Sequence, residues 1–77
     1  MAKHHIKNNI RRLRFEAGEM TQAILAEKAG VTRQTIVAIE KAKYAPSLEL
    51  AFKISDVFSK PLAEVFTFTG GEENKED

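Results

Sequence analysis

The stretch that decides the fold is Met20-Thr21-Gln22-Ala23-Ile24-Leu25-Ala26-Glu27-Lys28-Ala29-Gly30-Val31-Thr32-Arg33-Gln34-Thr35-Ile36-Val37-Ala38-Ile39-Glu40. Its spacing predicts two short helices joined by a turn. Thr21 is an N-cap residue for the first, in which Leu25, Ala26 and Ala29 recur with helical period, and Gly30 can take the left-handed conformation that stops it. Val31 plugs the turn, Thr32 caps the second helix, and Ile36 and Ile39 mark its inner face. Arg33 and Gln34 then fall in the first turn on another face. These two side chains match guanine and adenine edges in the DNA major groove by bidentate hydrogen bonding. Taken by themselves they are also what an ordinary solvated helix carries, and it is the preceding turn that favours a DNA-facing role.

Outward from this centre, Asn8 or Asn9 can cap an earlier helix with Ile10, Leu13 and Ala17 on its apolar stripe, ended by Gly18. Arg14 lies beside that stripe. Downstream, Pro46-Ser47 begins a fourth helix along which Leu48, Ala51, Ile54, Ser55 and Phe58 repeat, and Pro61 opens a brief fifth one carrying Leu62, Val65 and Phe66. Phe66-Thr67-Phe68-Thr69 alternates as a strand does, and His5-Ile6-Lys7 gives a weaker strand signal near the other end. The expectation is an all-α, five-helix domain over residues 1–69, with a small terminal two-stranded sheet or hairpin. An acidic, disordered tail is expected over 70–77.

Seventy-seven residues suffice for one small domain, and 43% hydrophobic with 30% charged residues is a globular composition. The net charge of +1 conceals an asymmetry. Residues 1–47 carry nine basic and four acidic side chains, a net of +5, whereas residues 48–77 carry three basic and seven acidic, a net of −4. A polyanion is drawn to one side of such a molecule. The chain has no cysteine, which excludes disulfides and thiolate metal sites. No apolar run approaches the roughly 18 to 20 residues of a membrane span, and the N-terminus lacks a signal-peptide core, so a cytoplasmic protein is expected.

Thr21-Gln22, Leu25-Ala26, Gly30-Val31-Thr32, Gln34-Thr35-Ile36 and Ile39-Glu40, followed by Tyr44, Pro46-Ser47-Leu48 and Ala51, together resemble the Xre-type, lambda-repressor-like helix-turn-helix family. The likeness spans residues 8–66. Pro61-Leu62-Ala63-Glu64-Val65-Phe66 resembles the end of a subgroup of very small dimeric regulators, in which five helices are extended by a terminal sheet. The resemblance implies a phosphate contact from Gln22, DNA-facing positions at Thr32, Arg33, Gln34 and Ala38, phosphate contacts from Lys41 and Lys43, and an ion pair between Arg14 and Glu40. Thr35, Val37 and Tyr44 complete the expected DNA set. Val37 and Ala38 suit thymine methyl groups, Val37 being equally suited to partial burial, and Tyr44 can reach a phosphate or buttress its loop. Leu62, Val65, Phe66 and Phe68 offer more apolar surface than so small a core consumes, and are the expected dimer contact.

Three positions depart from the family pattern. Ile24 replaces a common acidic residue, which removes the reciprocal carboxylate of the Thr21 cap. Ala42 and Ser59 replace common glycines at helix ends. Arg11 and Arg12 read first as a solvated face and only second as phosphate contacts, and the adjacent His4-His5 lack metal-site spacing. No nucleophile, phosphate loop or dinucleotide fingerprint points to catalysis, and no cofactor or metal is expected. The expected function is regulation of transcription, as a repressor holding double-stranded DNA through a roughly palindromic operator as a homodimer. The alternative is a protein-interaction module such as an antitoxin.

Overall fold

Three hydroxyl caps set the frame. In the computed structural model, which describes residues 6–68, Thr21, Thr32 and Ser47 each stand in extended backbone just before a helix. Their Oγ atoms accept the amides of Ile24, Thr35 and Leu50 at 3.0, 3.3 and 3.1 Å. Each bond satisfies one of the amides a helix leaves unpaired at its start. The helices that follow are α2 (Gln22–Ala29), α3 (Arg33–Glu40) and α4 (Leu48–Phe58), preceded by α1 (Ile10–Glu16) and followed by α5 (Leu62–Val65). Short strands β1 (Ile6–Asn8) and β2 (Phe66–Phe68) pair antiparallel, Ile6 opposite Phe68 and Asn8 opposite Phe66. Among the described residues the fold is therefore five helices with a two-stranded sheet, β1 ahead of the first helix pairing with β2 after the last.

The same device ends α2, α3 and α4. An amide five residues on returns to the helix, Val31 to Ala26, Lys43 to Ala38 and Lys60 to Ser55, at 3.0, 2.9 and 3.1 Å. This closure places one residue in left-handed backbone. In α2 it is Gly30, at φ 76°, but in α3 and α4 it is Ala42 and Ser59, at φ 60° and 54°. Glycine would accept that conformation without the steric cost a Cβ brings. Glu19, at φ 61° directly after Gly18, is a third non-glycine residue in left-handed backbone, and no sequence signal marks it.

Ile10, Leu13, Leu25, Ala26, Ala29, Ile36, Ile39, Ile54, Phe58 and Val65 form the core, joined at its margin by Met20, Val31, Leu50, Val57 and Phe66. Full burial of one such aliphatic side chain contributes about 1.5 to 3 kcal/mol, so the domain depends on nearly every one of them. Several expectations are corrected here. Val65 is completely enclosed and belongs to the core of the domain rather than to an outer contact face. Ala17 lies beyond the end of α1 and is exposed, because the helix stops at Glu16 before its stripe can repeat. Leu48 is 67% exposed, since α4 turns Ala51, Ile54, Ser55 and Phe58 inward instead.

Neither asparagine before α1 is a simple cap. The Asn8 Oδ1 accepts the Ile10 amide at 3.1 Å, while its Nδ2 donates to the Ile39 carbonyl at 2.8 Å. Asn9 makes no side-chain cap bond, and its Nδ2 donates to the Glu64 carbonyl at 2.9 Å. Its own amide donates to the Val65 carbonyl at 2.9 Å. The pair thus ties the start of α1 to the end of α3 and to α5. His4, His5, Thr69 and the acidic run over 70–77 lie outside the described residues.

Candidate DNA-binding face

The eight residues of α3 serve two surfaces. Ile36 and Ile39 are buried, which fixes the rotation of the helix about its axis. The first turn consequently faces away from the core, with Thr32, Arg33 and Gln34 exposed and Thr35 half-buried. Thr32 is partly occupied, because its Oγ1 accepts the Thr35 amide and lies 3.1 Å from the Thr35 hydroxyl. Arg33 and Gln34 are the longer side chains of this turn. One turn further on, Val37 and Ala38 are half-buried, so this side of α3 becomes shallow and apolar behind a polar leading edge. Lys41, Lys43 and Tyr44 follow on the exposed segment after α3.

The start of α2 stands beside this helix. The first amide of α2 bonded to a backbone carbonyl is that of Leu25, which donates to Thr21. The Ile24 amide goes to the Thr21 hydroxyl, leaving those of Gln22 and Ala23 in the unpaired first turn. Such amides, with the positive end of the helix dipole, attract an anion.

A polar network fixes the angle between these two elements. The Arg14 Nε and Nη2 donate to the two carboxylate oxygens of Glu40 at 2.7 and 3.2 Å, and its Nη1 donates to the Met20 carbonyl at 2.8 Å. The Gln22 Nε2 donates to Glu40 Oε1 at 3.1 Å. With side chains only 15% and 10% exposed, Arg14 and Glu40 form a fork-to-fork bridge shielded from most solvent. The network links α1, the α1–α2 turn, the first residue of α2 and the last of α3. The sequence reading paired Arg14 with Glu40 but did not include Gln22 in that pair, and no spacing rule within one helix could have suggested it.

Arg14, Gln22, Glu40 and Arg33 line a hollow of about 470 Å³ together with Arg11, Thr21 and Ala23. Among the described residues no cluster of histidine, cysteine or carboxylate side chains could hold a metal ion. No described helix is long and apolar enough to cross a membrane. The expected outer contact residues Leu62 and Phe66 are half-buried and Phe68 is 70% exposed, bordering an apolar hollow of about 600 Å³ with Ile6, Pro46 and Leu48.

Two short helices across a glycine turn, with a polar-edged second helix held over the start of the first, define a DNA-binding helix-turn-helix regulator. The helix-turn-helix family profile matches residues 10–65, and the chain belongs to the Xre-like branch of that family. An uncharacterized HTH-type transcriptional regulator of Methanocaldococcus jannaschii is 53% identical over 53 residues, which cover 69% of this chain and 80% of the relative. One from Archaeoglobus fulgidus is 49% identical over 63 residues, 82% of this chain and 89% of the relative. Another, from Bacillus subtilis, is 49% identical over 61 residues, 79% and 91% of the two chains. The protein is a transcriptional regulator built on a helix-turn-helix domain.

Proposed function

We propose that this regulator represses transcription by holding a roughly palindromic operator as a homodimer, with α3 of each protomer in the major groove. The observation that carries this reading is the division of α3. Its buried isoleucines orient the helix, and the same rotation presents Arg33 and Gln34 as a pair of base-reading side chains in its first turn. Thr32 and Thr35 stand at the phosphate margin of that turn. Val37 and Ala38 face thymine methyl groups. Gln22, with the unpaired amides of α2, holds one phosphate strand, and Lys41, Lys43 and Tyr44 hold the backbone beyond α3. The Gln22 amide group has two hydrogens, so it can donate to a phosphate while keeping its bond to Glu40.

Two-fold symmetry follows from the apolar face bordered by Leu62, Phe66 and Phe68, which a second copy covers. The two recognition helices are then about 34 to 36 Å apart, one turn of DNA. Repression follows because a dimer on such a site excludes polymerase from an overlapping promoter. The test begins with selection of an operator from a random duplex pool. Arg33→Ala or Gln34→Ala should weaken binding to that operator by about 1 to 3 kcal/mol, with a smaller loss on scrambled DNA. Equal losses on both duplexes would remove the base-reading role, and a reporter that rises when the protein is supplied would remove repression.

A further inference from the structure

Arg11 belongs to two hollows at once. The first is the polar one beside Arg33 and Gln22. The second, of about 690 Å³, opens beside α1, and its lining includes Arg11, Arg12, Phe15, Lys41, Gln22 and Glu40. Because the two share Arg11, Gln22 and Glu40, they form one continuous trough from the start of α3 to the outer face of α1.

The trough is cationic. Its single carboxylate, Glu40, is held by Arg14 and Gln22 and is therefore offset. Arg12 leans toward Glu16 at 3.5 Å, but both side chains are more than half exposed, and such pairs exchange readily for a better anion. Among the described residues no carboxylate lies within salt-bridge distance of Arg11 or Lys41. Phe15, 68% exposed, lies one helical turn after Arg11 and lines the same hollow as Arg11, Arg12 and Lys41. A single exposed phenylalanine is ordinary on a protein surface; this one matters for its place among the cations. A ligand with regularly spaced negative charges and apolar carbon between them uses both features, and a nucleic acid backbone is such a ligand, alternating phosphate with deoxyribose.

We propose that this trough continues the DNA-binding surface past the half-site read by α3. Arg11 and Arg12 hold phosphates flanking the half-site, and Phe15 packs on the sugar between them. The inference rests on the reading above that α3 occupies the major groove. It adds a sequence-independent contribution to affinity, since phosphates position a protein without specifying bases.

The experiment compares two duplexes carrying the selected operator, one trimmed to the outer edges of the half-sites and one extended several base pairs on each side. Arg11→Gln removes the charge while keeping a helix-favouring side chain, and Phe15→Ala removes only apolar surface; melts of both variants should match the parent. On the extended duplex, Arg11→Gln should lower the salt slope by about one, so that the parent's advantage shrinks about 3.5-fold between about 50 and 200 mM salt. Phe15→Ala should weaken binding to the extended duplex without changing that slope. Binding of both variants to the trimmed duplex should follow the parent. Unchanged slopes for Arg11→Gln, or a Phe15→Ala variant whose only change is in sedimentation, would overturn the proposal, the latter assigning this face to a protein contact. A parent protein that selects no operator would withdraw the DNA reading itself, whereas a parent that binds, with Lys43→Ala losing slope and Arg11→Gln not, would overturn the trough alone.

Discussion

Removing Glu40 tests the frame on which the whole face is built. In Glu40→Ala the Arg14 guanidinium loses both carboxylate bonds, at 2.7 and 3.2 Å, and retains only the Met20 carbonyl at 2.8 Å. Gln22 loses its partner at the same time. Breaking one side of a fully buried pair costs about 3 to 5 kcal/mol, most of it from the stranded charge. Here the side chains are 15% and 10% exposed, so water relieves a little of that charge and the loss belongs near the lower bound, about 3 kcal/mol. For a domain of this size each kcal/mol moves Tm by about 4 to 8 °C, so the variant should melt about 12 to 24 °C lower. Arg14→Met in the Glu40→Leu background should recover part of the loss, because two apolar side chains leave no charge stranded. Thermal melts followed by circular dichroism provide the measurement. A Glu40→Ala variant that melts within about 4 °C of the parent, less than about 1 kcal/mol, would refute the claim that the network braces α1 against α2 and α3.

Two further outcomes follow from single positions. Ala42→Gly relieves left-handed strain of about 1 to 2 kcal/mol but gives the unfolded chain more freedom, so a net gain of about 0.5 to 1 kcal/mol should appear in denaturant midpoints, and Ser59→Gly should behave alike; a loss in both would mean the closures tolerate a side chain at no cost. Phe68→Asp places a charge in the proposed dimer contact without touching the core, because Phe68 is 70% exposed. It should sediment as a monomer, keep the parental Tm at high dilution, and bind the operator far more weakly for want of simultaneous engagement; a parent that already sediments as a monomer would contradict the homodimer.

Local chemistry made most of this fold readable in the sequence. Thr21, Thr32 and Ser47 are caps by residue type, and the inward positions of α2 and α3 follow helical period, so those elements start and face as expected. The glycine substitutions at Ala42 and Ser59 were legible as points of discomfort, and both residues do adopt left-handed backbone. What failed is what periodicity cannot carry. Leu48 matches the stripe of α4 by spacing, yet it lies in the first turn and borders an open hollow rather than the core, so it stays 67% exposed. Val65 looked surplus to a small core, but the single turn of α5 directs it into that core, where it is fully buried. Asn8 and Asn9 announced a helix start by type, while their longest-range bonds, to Ile39 and Glu64, depend on a closure no local window contains.

The candidate face was legible for a related reason and to a different depth. A recognition helix must show solvent the residues that do not hold it in place, so once Ile36 and Ile39 are assigned inward, Gln34 is outward by helical period, and Arg33 falls at the edge of that outer face, where it is exposed. Arg11 reads in the sequence as a solvated residue first and a phosphate contact only second. It stands on the first helix, three residues before Arg14, and joins the same surface because the core contacts of Ile10 and Leu13, the Asn8 bond to Ile39 and the Arg14–Glu40 bridge together hold α1 alongside the end of α3. The ion pair therefore does more than stabilise. It lies where the two hollows meet, and a variant that weakens the pair should loosen the flanking contacts before it disturbs base reading, because α3 keeps its own anchorage through the two isoleucines. The order of those two losses, followed in Glu40→Gln by salt slope on extended duplexes and by operator preference over scrambled DNA, distinguishes a frame that serves the whole interface from one that serves the fold alone.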